Sequence, residues 1–576
     1  MFLHVIERRM IRTFILSVSL LLFSVLSIPV LAQSEAAPDI ISAVEFMQKG
    51  DLGRSEGILK EVISSDPRSD AAWYYLGMNY IRQKDADMAE ECFSAASKLD
   101  STNFWYRYSL ASLYEATSRP AKTIRMYEDL MRDFPQKSDL YYELARLYSA
   151  NGEYEKALRT VNEIETVFGL TESIAIYRFN LLLQLQRHQE AYRTLHEYNS
   201  KYSSPYVLSV LADQLLQEYK DTVAVKYYDE ALELDPAYVP ALVGKAELMR
   251  ITRRYDEYFN VLGSYAVLPE APAKGKADYL KEMLRRMDAK FMTMFRSEFD
   301  SIVDKTLATH PCDSNVLNLA GLYQYSAGRQ EQACELFRRN AEIYPEAESV
   351  VKDYLDILMY YQRWEEVAQQ GRVALERFPG ELTFLEMSVV ANRLLDRNDD
   401  AILLCDEILD SGTKDSTVIA WALSAKGDMY YEMKETKKSF KAYEAALKYQ
   451  PDYISVLNNY AYYLSVQGKK LSKALQMSRK TIEAEPDNAT YLDTFGWILY
   501  LLGKPEEALT HFKRAMIYGG KDSPVILDHY AEVLYALKEY DRAMVYWNKA
   551  LLINEGEVAN LEEKINKRKE QRSKLK

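Results

Sequence analysis

The chain has 576 residues, of which 27% are charged and 48% are hydrophobic, and its formal net charge at pH 7 is -13. These proportions are ordinary for a soluble helical protein, and the chain is long enough for one continuous core in place of several globular ones. An acidic chain of this kind is a poor ligand for nucleic acid, so we expect no nucleic-acid partner.

The first 32 residues predict export. Three arginines precede an apolar run over residues 14–31, which ends next to the small residue Ala32. This order is typical of a secretory signal peptide cleaved after Ala32, and Gln33 in place of a cysteine argues against a lipoprotein. The alternative is an uncleaved anchor in the inner membrane, because the run is close to the ~18 residues that span a bilayer. Met10 is an alternative start. We therefore expect an exported, periplasmic protein.

Prolines then recur at a fixed interval. Pro311, Pro345 and Pro379 lie 34 residues apart, and Pro67 and Pro135 lie 68 apart, which is twice that period. A period of 34 residues is the length of one helix-turn-helix unit that buries its apolar faces only by stacking on its neighbours. The sequence therefore predicts one long array of helical repeats.

The unit that begins at Asp70 shows the pattern most clearly. Its first helix carries four apolar or small residues on one face and its second helix carries three, namely Trp73, Leu76, Gly77 and Tyr80, then Ala89, Phe93 and Ala96. These positions closely resemble the tetratricopeptide repeat (TPR) family. The resemblance implies an all-α fold, a right-handed α-solenoid superhelix of stacked helix-turn-helix repeats, with about fifteen units between Ala36 and Asn554.

The repeat pattern also predicts the domain boundaries. After the signal at residues 1–32, an N-terminal TPR block covers residues 36–268, and a C-terminal block covers residues 313–554. Between them, residues 269–312 lose the phase and are interpreted as a degenerate helical repeat or a hinge. Residues 555–576 predict a basic capping helix, because their apolar residues are spaced at three and four; the alternative is a basic tail that contacts lipid or an acidic partner.

Residues for catalysis or metal binding are not found in a recognisable arrangement. The six histidines form no HExxH motif, and no glycine-rich phosphate loop or GxSxG motif is present. We therefore predict no enzyme activity, no metal site and no cofactor. The four cysteines lack the spacing of a disulfide framework or zinc site, although a bridge between Cys312 and Cys334 is left open.

Binding remains, and the resemblance places it in the concave groove lined by the first helices. In the TPR family the groove residues are the second, fifth, ninth and twelfth of each repeat. In the C-terminal block these positions form an aromatic and acidic strip, which includes Trp421, Asp428, Tyr431, Asn458, Tyr462, Asp493, Trp497, Tyr500, Asp528, Glu532 and Tyr535. Such a strip suits an extended partner that carries basic groups.

The sequence thus predicts a protein-protein interaction scaffold or adaptor of the cell envelope. Its expected partners are envelope proteins with basic or extended segments, and membrane contact is expected only through an uncleaved N-terminal segment or the basic tail. The alternative is a glycan- or polymer-binding accessory subunit of an envelope export or cell-wall system.

Overall fold

The computed structural model describes residues 37–286 and 288–573, and within them regular structure is entirely helical. The predicted signal peptide or anchor at residues 1–32 lies outside the described residues, as do residues 574–576. In the described part, no helix combines the length and the apolar character needed to cross a membrane. The predicted all-α fold is confirmed.

The chain divides into two compact units, Met1–Tyr265 and Ala266–Lys576. The helices of the first unit, of which the last ends at the boundary, are α1 (Ala37–Gln48), α2 (Leu52–Ser65), α3 (Asp70–Gln83), α4 (Ala86–Leu99), α5 (Phe104–Ala116), α6 (Pro120–Asp133), α7 (Ser138–Ala150), α8 (Tyr154–Phe168), α9 (Glu172–Gln184), α10 (His188–Tyr202), α11 (Pro205–Gln217), α12 (Asp221–Leu234), α13 (Val239–Ile251) and α14 (Tyr255–Ala266).

The second unit contains eighteen further α-helices among the described residues and one 3-10 turn at Gly520–Asp522. Its helices are α15 (Ala273–Arg286), α16 (Ala289–Met294), α17 (Arg296–Thr309), α18 (Ser314–Ser326), α19 (Gln330–Ile343), α20 (Glu348–Tyr360), α21 (Trp364–Arg377), α22 (Leu382–Leu394), α23 (Asn398–Asp410), α24 (Ser416–Glu432), α25 (Thr436–Tyr449), α26 (Ile454–Val466), α27 (Leu471–Ala484), α28 (Ala489–Leu501), α29 (Pro505–Ile517), α30 (Pro524–Ala536), α31 (Tyr540–Ile553) and α32 (Leu561–Ser573).

In several repeats the two helices interlock where a glycine of the first helix meets an aromatic ring of the second. In the pair α3–α4, a Cβ added to Gly77 would lie 2.6 Å from Cε1 of Phe93, so only glycine lets the ring approach this closely. The same close contact recurs between Gly427 and the ring of Tyr443, sixteen residues later. Phe93 is 1% exposed, and its burial contributes about 1.5–3 kcal/mol to folding. Gly77 and Phe93 therefore pack the two helices together, as the sequence predicts.

The turn between the two helices of this repeat is fixed by a left-handed residue and a helix N-cap. Lys84 ends α3 in the left-handed conformation at φ 64°. Asp85 then caps α4, because its side chain accepts a hydrogen bond from the Met88 amide at 3.1 Å. A left-handed residue followed by an N-cap reverses the chain within two residues, which brings the second helix back along the first.

The segment that loses the repeat phase is helical and contains one extra short helix, α16. Lys276 on α15 is fully buried, and its ammonium donates hydrogen bonds to the carbonyls of Ala266 at 3.0 Å and Leu268 at 2.5 Å. Its Nζ also lies 3.0 Å from Nε2 of His310. The lysine therefore supplies a hydrogen-bond donor to two carbonyls of the irregular stretch before α15, and burial lowers its pKa.

All four cysteines are free thiols, so the Cys312–Cys334 bridge that the sequence left open is not formed. Cys312 is exposed, whereas the other three lie in second helices and are buried (the three buried cysteines: Cys92, Cys334 and Cys405). Burial raises the pKa of both Cys92 and Cys405 to about 12, which keeps these thiols protonated at neutral pH.

Candidate functional site

The predicted site residues all lie on the first helices of four consecutive repeats, α24, α26, α28 and α30. Helix α24 contacts α26 through the Asn459 amide and the Asp428 carboxylate, α26 contacts α28, and α28 contacts α30, so these first helices form one surface. We call this surface the first-helix face. Its carboxylates are less accessible than an open groove requires: Asp428 is 9% exposed, Asp493 is 4% exposed and Asp528 is 5% exposed. A buried carboxylate needs a partner, and the structure supplies one for each.

The C-terminal end of the first-helix face is covered by the chain itself. Lys564 on α32 donates to Asp528 at 2.7 Å and pairs with Glu532 at 2.9 Å, and Arg568 donates to Glu532 at 2.8 Å. The Arg568 guanidinium also lies 5.0 Å from the ring centre of Tyr535. Asp528, Glu532 and Tyr535 are therefore not an open part of the predicted groove.

The position of α32 over these residues has a clear physical reason. Leu561 and Ile565 of α32 are each 2% exposed and pack into the apolar cluster that contains Trp547, so the helix is held by its apolar side. With that side buried, Lys564 and Arg568, which are one turn apart, face the two carboxylates. Burial disfavours the Lys564 charge, but Asp528 and Glu532 outweigh this effect and raise its pKa.

In the middle of the first-helix face, the partner of the buried carboxylate is the imidazole of His529, where the C-terminal end has a lysine and an arginine. Nδ1 of His529 lies 2.9 Å from Oδ1 of Asp493, and both side chains are buried. The indole of Trp497 stacks on the His529 ring with centroids 4.0 Å apart, and Tyr500 stacks beside Trp497 at 5.1 Å. Asp493, Trp497 and Tyr500 therefore form one packed cluster with His529. Much of their side-chain surface contacts other members of this cluster.

Three further predicted residues are packed at the junction of α24, α26 and α28. The rings of Tyr431 and Tyr463 stack with centroids 3.5 Å apart. Asn458 is 4% exposed, and its amide oxygen has no hydrogen-bond donor within the described residues. Burial, followed by the nearby Asp493 and Tyr431, raises the pKa of Tyr462 to about 12, so its hydroxyl stays neutral.

An open cleft remains where α22, α24 and the start of α26 meet, and it contains Trp421 and Asp428. It consists of two adjoining pockets that share Val390, Trp421 and Tyr453. The first pocket has a volume of about 410 Å³ and is lined mostly by apolar side chains together with Glu386. The second has a volume of about 530 Å³ and is lined by Asp428 and other charged side chains. Both volumes lie in the range of about 300–1,000 Å³ that small ligand sites occupy.

The second pocket carries an excess of negative charge. Asp396, Asp428 and Glu432 line it with a single cation, Arg393. The Arg393 guanidinium lies 3.4 Å from Asp428 and 3.6 Å from Glu432, which is longer than the 2.7–2.9 Å usual for a charge-assisted hydrogen bond. Asp428 also accepts hydrogen bonds from the Tyr443 hydroxyl and the Asn459 amide. The pocket therefore keeps capacity for a further cation.

Several residues of these sites were missed by the sequence analysis. Lys564 and Arg568 follow Asp528 and Glu532 by 36 residues each, close to the repeat period, and this spacing was a usable signal for the pairing. No comparable signal pointed to Glu386 or Arg393, because they belong to α22, one repeat before the predicted strip. Within residues 37–286 and 288–573, no group of three or more His, Cys, Asp or Glu side chains is arranged to hold a metal ion.

Comparison with known proteins gives the family. Models of the tetratricopeptide repeat match three segments, at residues 420–554, 116–166 and 70–103. None of the curated proteins matches the chain.

Among solved structures, Naa15/Naa10 bound to HypK-THB is 14% identical, the match covers 93% of this chain and 91% of that chain, and the TM-score is 0.37. A tetratricopeptide repeat protein from Parabacteroides merdae is 14% identical over 44% of this chain and 96% of its own, at a TM-score of 0.36. The Cut9–Hcn1 hetero-tetramer of the APC/C is 11% identical over 87% and 97%, at a TM-score of 0.32. Since the three matched segments lie in both units of the chain and carry the helix pairs described above, this is a tetratricopeptide repeat protein.

Proposed function

We propose that this protein is a non-catalytic scaffold of the cell envelope that binds a basic segment of a partner protein in the open cleft between α22, α24 and α26. Tetratricopeptide repeats act generally as protein-interaction modules. The proposal adds the sign of the partner's charge and the place where it binds. It also excludes catalysis, in keeping with the lack of a recognisable catalytic motif in the sequence.

One observation carries the proposal. The chain seats its own Lys564 and Arg568 on Asp528 and Glu532 of the first-helix face. This face therefore accommodates long cationic side chains when they are brought to it by a neighbouring segment. The open cleft presents the same combination of carboxylates and aromatic rings on an earlier part of the same face, and its acidic residues outnumber its one cation.

The location in the envelope rests on the sequence alone. Three arginines, the apolar run over residues 14–31 and the small residue Ala32 support export through a cleaved signal peptide. A partner met outside the cytoplasmic membrane would then be an envelope component. With residues 1–32 removed, which carry a net charge of +2, the mature chain would have a net charge of -15 and would attract basic segments more strongly than the unprocessed chain.

A glycan ligand is the competing proposal, and the packing of the aromatic residues argues against it. A sugar-binding platform needs an accessible ring face, yet Trp497 stacks on His529 and lies beside Tyr500. Trp421 in the open cleft is half-buried. A saccharide site in the cleft would therefore depend on the rings of Trp421 and Tyr453, whereas a basic segment can use the carboxylates as well.

The test is a comparison of partners in living cells. The tagged full-length protein is crosslinked in its native cells, purified and compared with the variant Trp421→Ala, and with Tyr449→Ala, which removes an exposed aromatic ring of a second helix, as the matched control. We expect a defined set of proteins that Trp421→Ala loses and the control keeps. An identical set in all three samples would refute binding in the cleft, and enrichment of saccharide without protein would support the competing proposal.

A further inference from the structure

The two pockets of the open cleft are arranged in series along the helices that form it. On α22, Glu386 and Met387 line the first pocket, whereas Arg393 and Leu394 line the second. On α24 the order is the same, because Val418 lines the first pocket and Glu432 lines the second. The cleft therefore follows the direction of the two helices, and its occupant would contact both pockets.

The first pocket is apolar with one carboxylate. Met359, Met387, Val390 and Trp421 contribute most of its wall. Glu386 is half-buried there and has no ion-pair partner within the described residues. Burial, and then the nearby Asp415, raises the pKa of Glu386. A carboxylate in this setting is stabilised by a cation that also covers the apolar wall, as the long stems of lysine and arginine do.

The second pocket favours a cation for a different reason. Glu432 is exposed and Asp428 is nearly buried, and the Arg393 guanidinium nitrogens lie 3.4 Å from the Asp428 carboxylate and 3.6 Å from the Glu432 carboxylate. A second guanidinium or ammonium can approach these carboxylates from the solvent side and form shorter hydrogen bonds than Arg393 does. Arg393 would then compete with the occupant and would not help to bind it.

The distance between the two pockets sets the spacing of the occupant's side chains. Glu386 and Arg393 are seven residues apart on one helix, which corresponds to about 10 Å along its axis at 1.5 Å per residue. In an extended chain of the polyproline II type, side chains three residues apart point the same way and are separated by about 9 Å. In a partner of this conformation, one side chain in each pocket therefore corresponds to two residues between them.

We propose that the open cleft binds an extended segment of a partner protein that carries two lysine or arginine side chains three residues apart. The first side chain lies along Trp421 and ends at Glu386, and the second ends at Asp428 and Glu432. This inference rests on the proposed function, because it specifies the partner segment of the same site.

The test uses fluorescein-labelled peptides and the purified full-length protein. In the main probe, two arginines are separated by two prolines, which hold the polyproline II conformation. Two further probes have the same charge but place one proline or four prolines between the arginines. Dissociation constants are measured by fluorescence anisotropy at physiological ionic strength. We expect the main probe to bind about tenfold more tightly than either other probe, because only it engages both pockets at once.

Three variants then assign the binding to the two pockets. Glu386→Gln should weaken the main probe about tenfold, since this carboxylate is partly shielded from water, and Glu432→Gln about threefold, since it is exposed. Arg393→Gln should strengthen the main probe about twofold to fivefold by removing the competing cation. Glu407→Gln, on the exposed side of α23, is the matched control and should change nothing.

The inference is overturned if the three probes bind equally, if none binds, or if Glu386→Gln and Glu407→Gln behave alike. It is also overturned if Arg393→Gln weakens the main probe, since Arg393 would then be a binding residue. These failures are distinct from failure of the proposed function. If Trp421→Ala removes crosslinked proteins from cells while the probes show no preference for spacing, the scaffold function stands and the two-cation segment does not.

Discussion

The closure of the first-helix face by α32 gives a prediction whose magnitude follows from the structure. Replacing Lys564 by alanine leaves Asp528 and Glu532, which are 5% and 4% exposed, with fewer partners. Removing one partner of a buried ion pair costs about 3–5 kcal/mol. The Lys564 side chain is 32% exposed, however, so water can reach the carboxylates after its removal, and Arg568 still pairs with Glu532. We therefore expect Lys564→Ala to destabilise the docked helix by about 1–3 kcal/mol.

Amide hydrogen exchange measured by mass spectrometry reports this change locally. A loss of about 1–3 kcal/mol corresponds to exchange about 5–150 times faster, provided that the helix opens independently of the rest. The effect should be confined to peptides from residues 561–573 and the face that they cover. Lys567→Ala, on the exposed side of α32, is the control and should change the opening free energy by less than about 0.5 kcal/mol.

The pH dependence of the same helix has a defined sign. The pKa of Lys564 is raised in the folded state, because the attraction of Asp528 and Glu532 exceeds the opposing effect of burial. Its contribution to the stability of the docked helix is therefore fully present below the ordinary lysine pKa and is lost only as the pH rises through the higher folded-state value.

In the exchange experiment, protection that is unaffected by Lys564→Ala, or lowered equally by Lys567→Ala, would refute the assignment of Lys564 as the residue that holds the helix.

Three other outcomes are expected. Gly77→Ala should lower the free energy of unfolding by about 1–3 kcal/mol in urea titrations, because the new methyl group would overlap the Phe93 ring, whereas Gly57→Ala, with open space around it, should raise it by about 0.5–1 kcal/mol. A thiol reagent should label Cys312 in the folded protein and the three buried cysteines only after unfolding. Mass spectrometry of the protein from its native cells should find a mature N-terminus at Gln33.

Each of these three predictions can be contradicted by a specific result. Equal effects of the two glycine replacements would show that Gly77 is not a packing constraint. Absence of a free thiol at Cys312 in the oxidised protein would contradict the four free cysteines. An intact N-terminus on the protein recovered from membranes would favour the uncleaved anchor over the cleaved signal peptide.

The sequence predicted the helices well because the same physical demand recurs in every repeat. Gly77 and Phe93 must fit together, and a glycine and an aromatic ring appear again sixteen residues apart at Gly427. Such a pattern can be read without knowing the three-dimensional structure. It also places the predicted site residues on the correct helices, since the phase of a repeat fixes which helix each residue belongs to.

The accessibility of the site could not be read in the same way. Repeat phase says which way Asp493 points, but its pairing with His529 on the next repeat depends on two side chains that no motif links. Similarly, the first pocket of the open cleft combines Met359 and Met387 with Trp421, residues from three different repeats. Contacts of this kind depend on side-chain shape and packing between units, so only the structure separates the covered end of the strip from the open cleft.

The central claim is that the open cleft, and not the covered end of the first-helix face, binds a protein partner. The most direct measurement introduces a photo-crosslinking amino acid at Val418 in the cleft and, separately, at Glu407 on the neighbouring second helix, in living cells. We expect discrete crosslinked protein products from position 418 that are absent from position 407. Crosslinks of equal pattern and yield from both positions, or none from position 418, would contradict the claim.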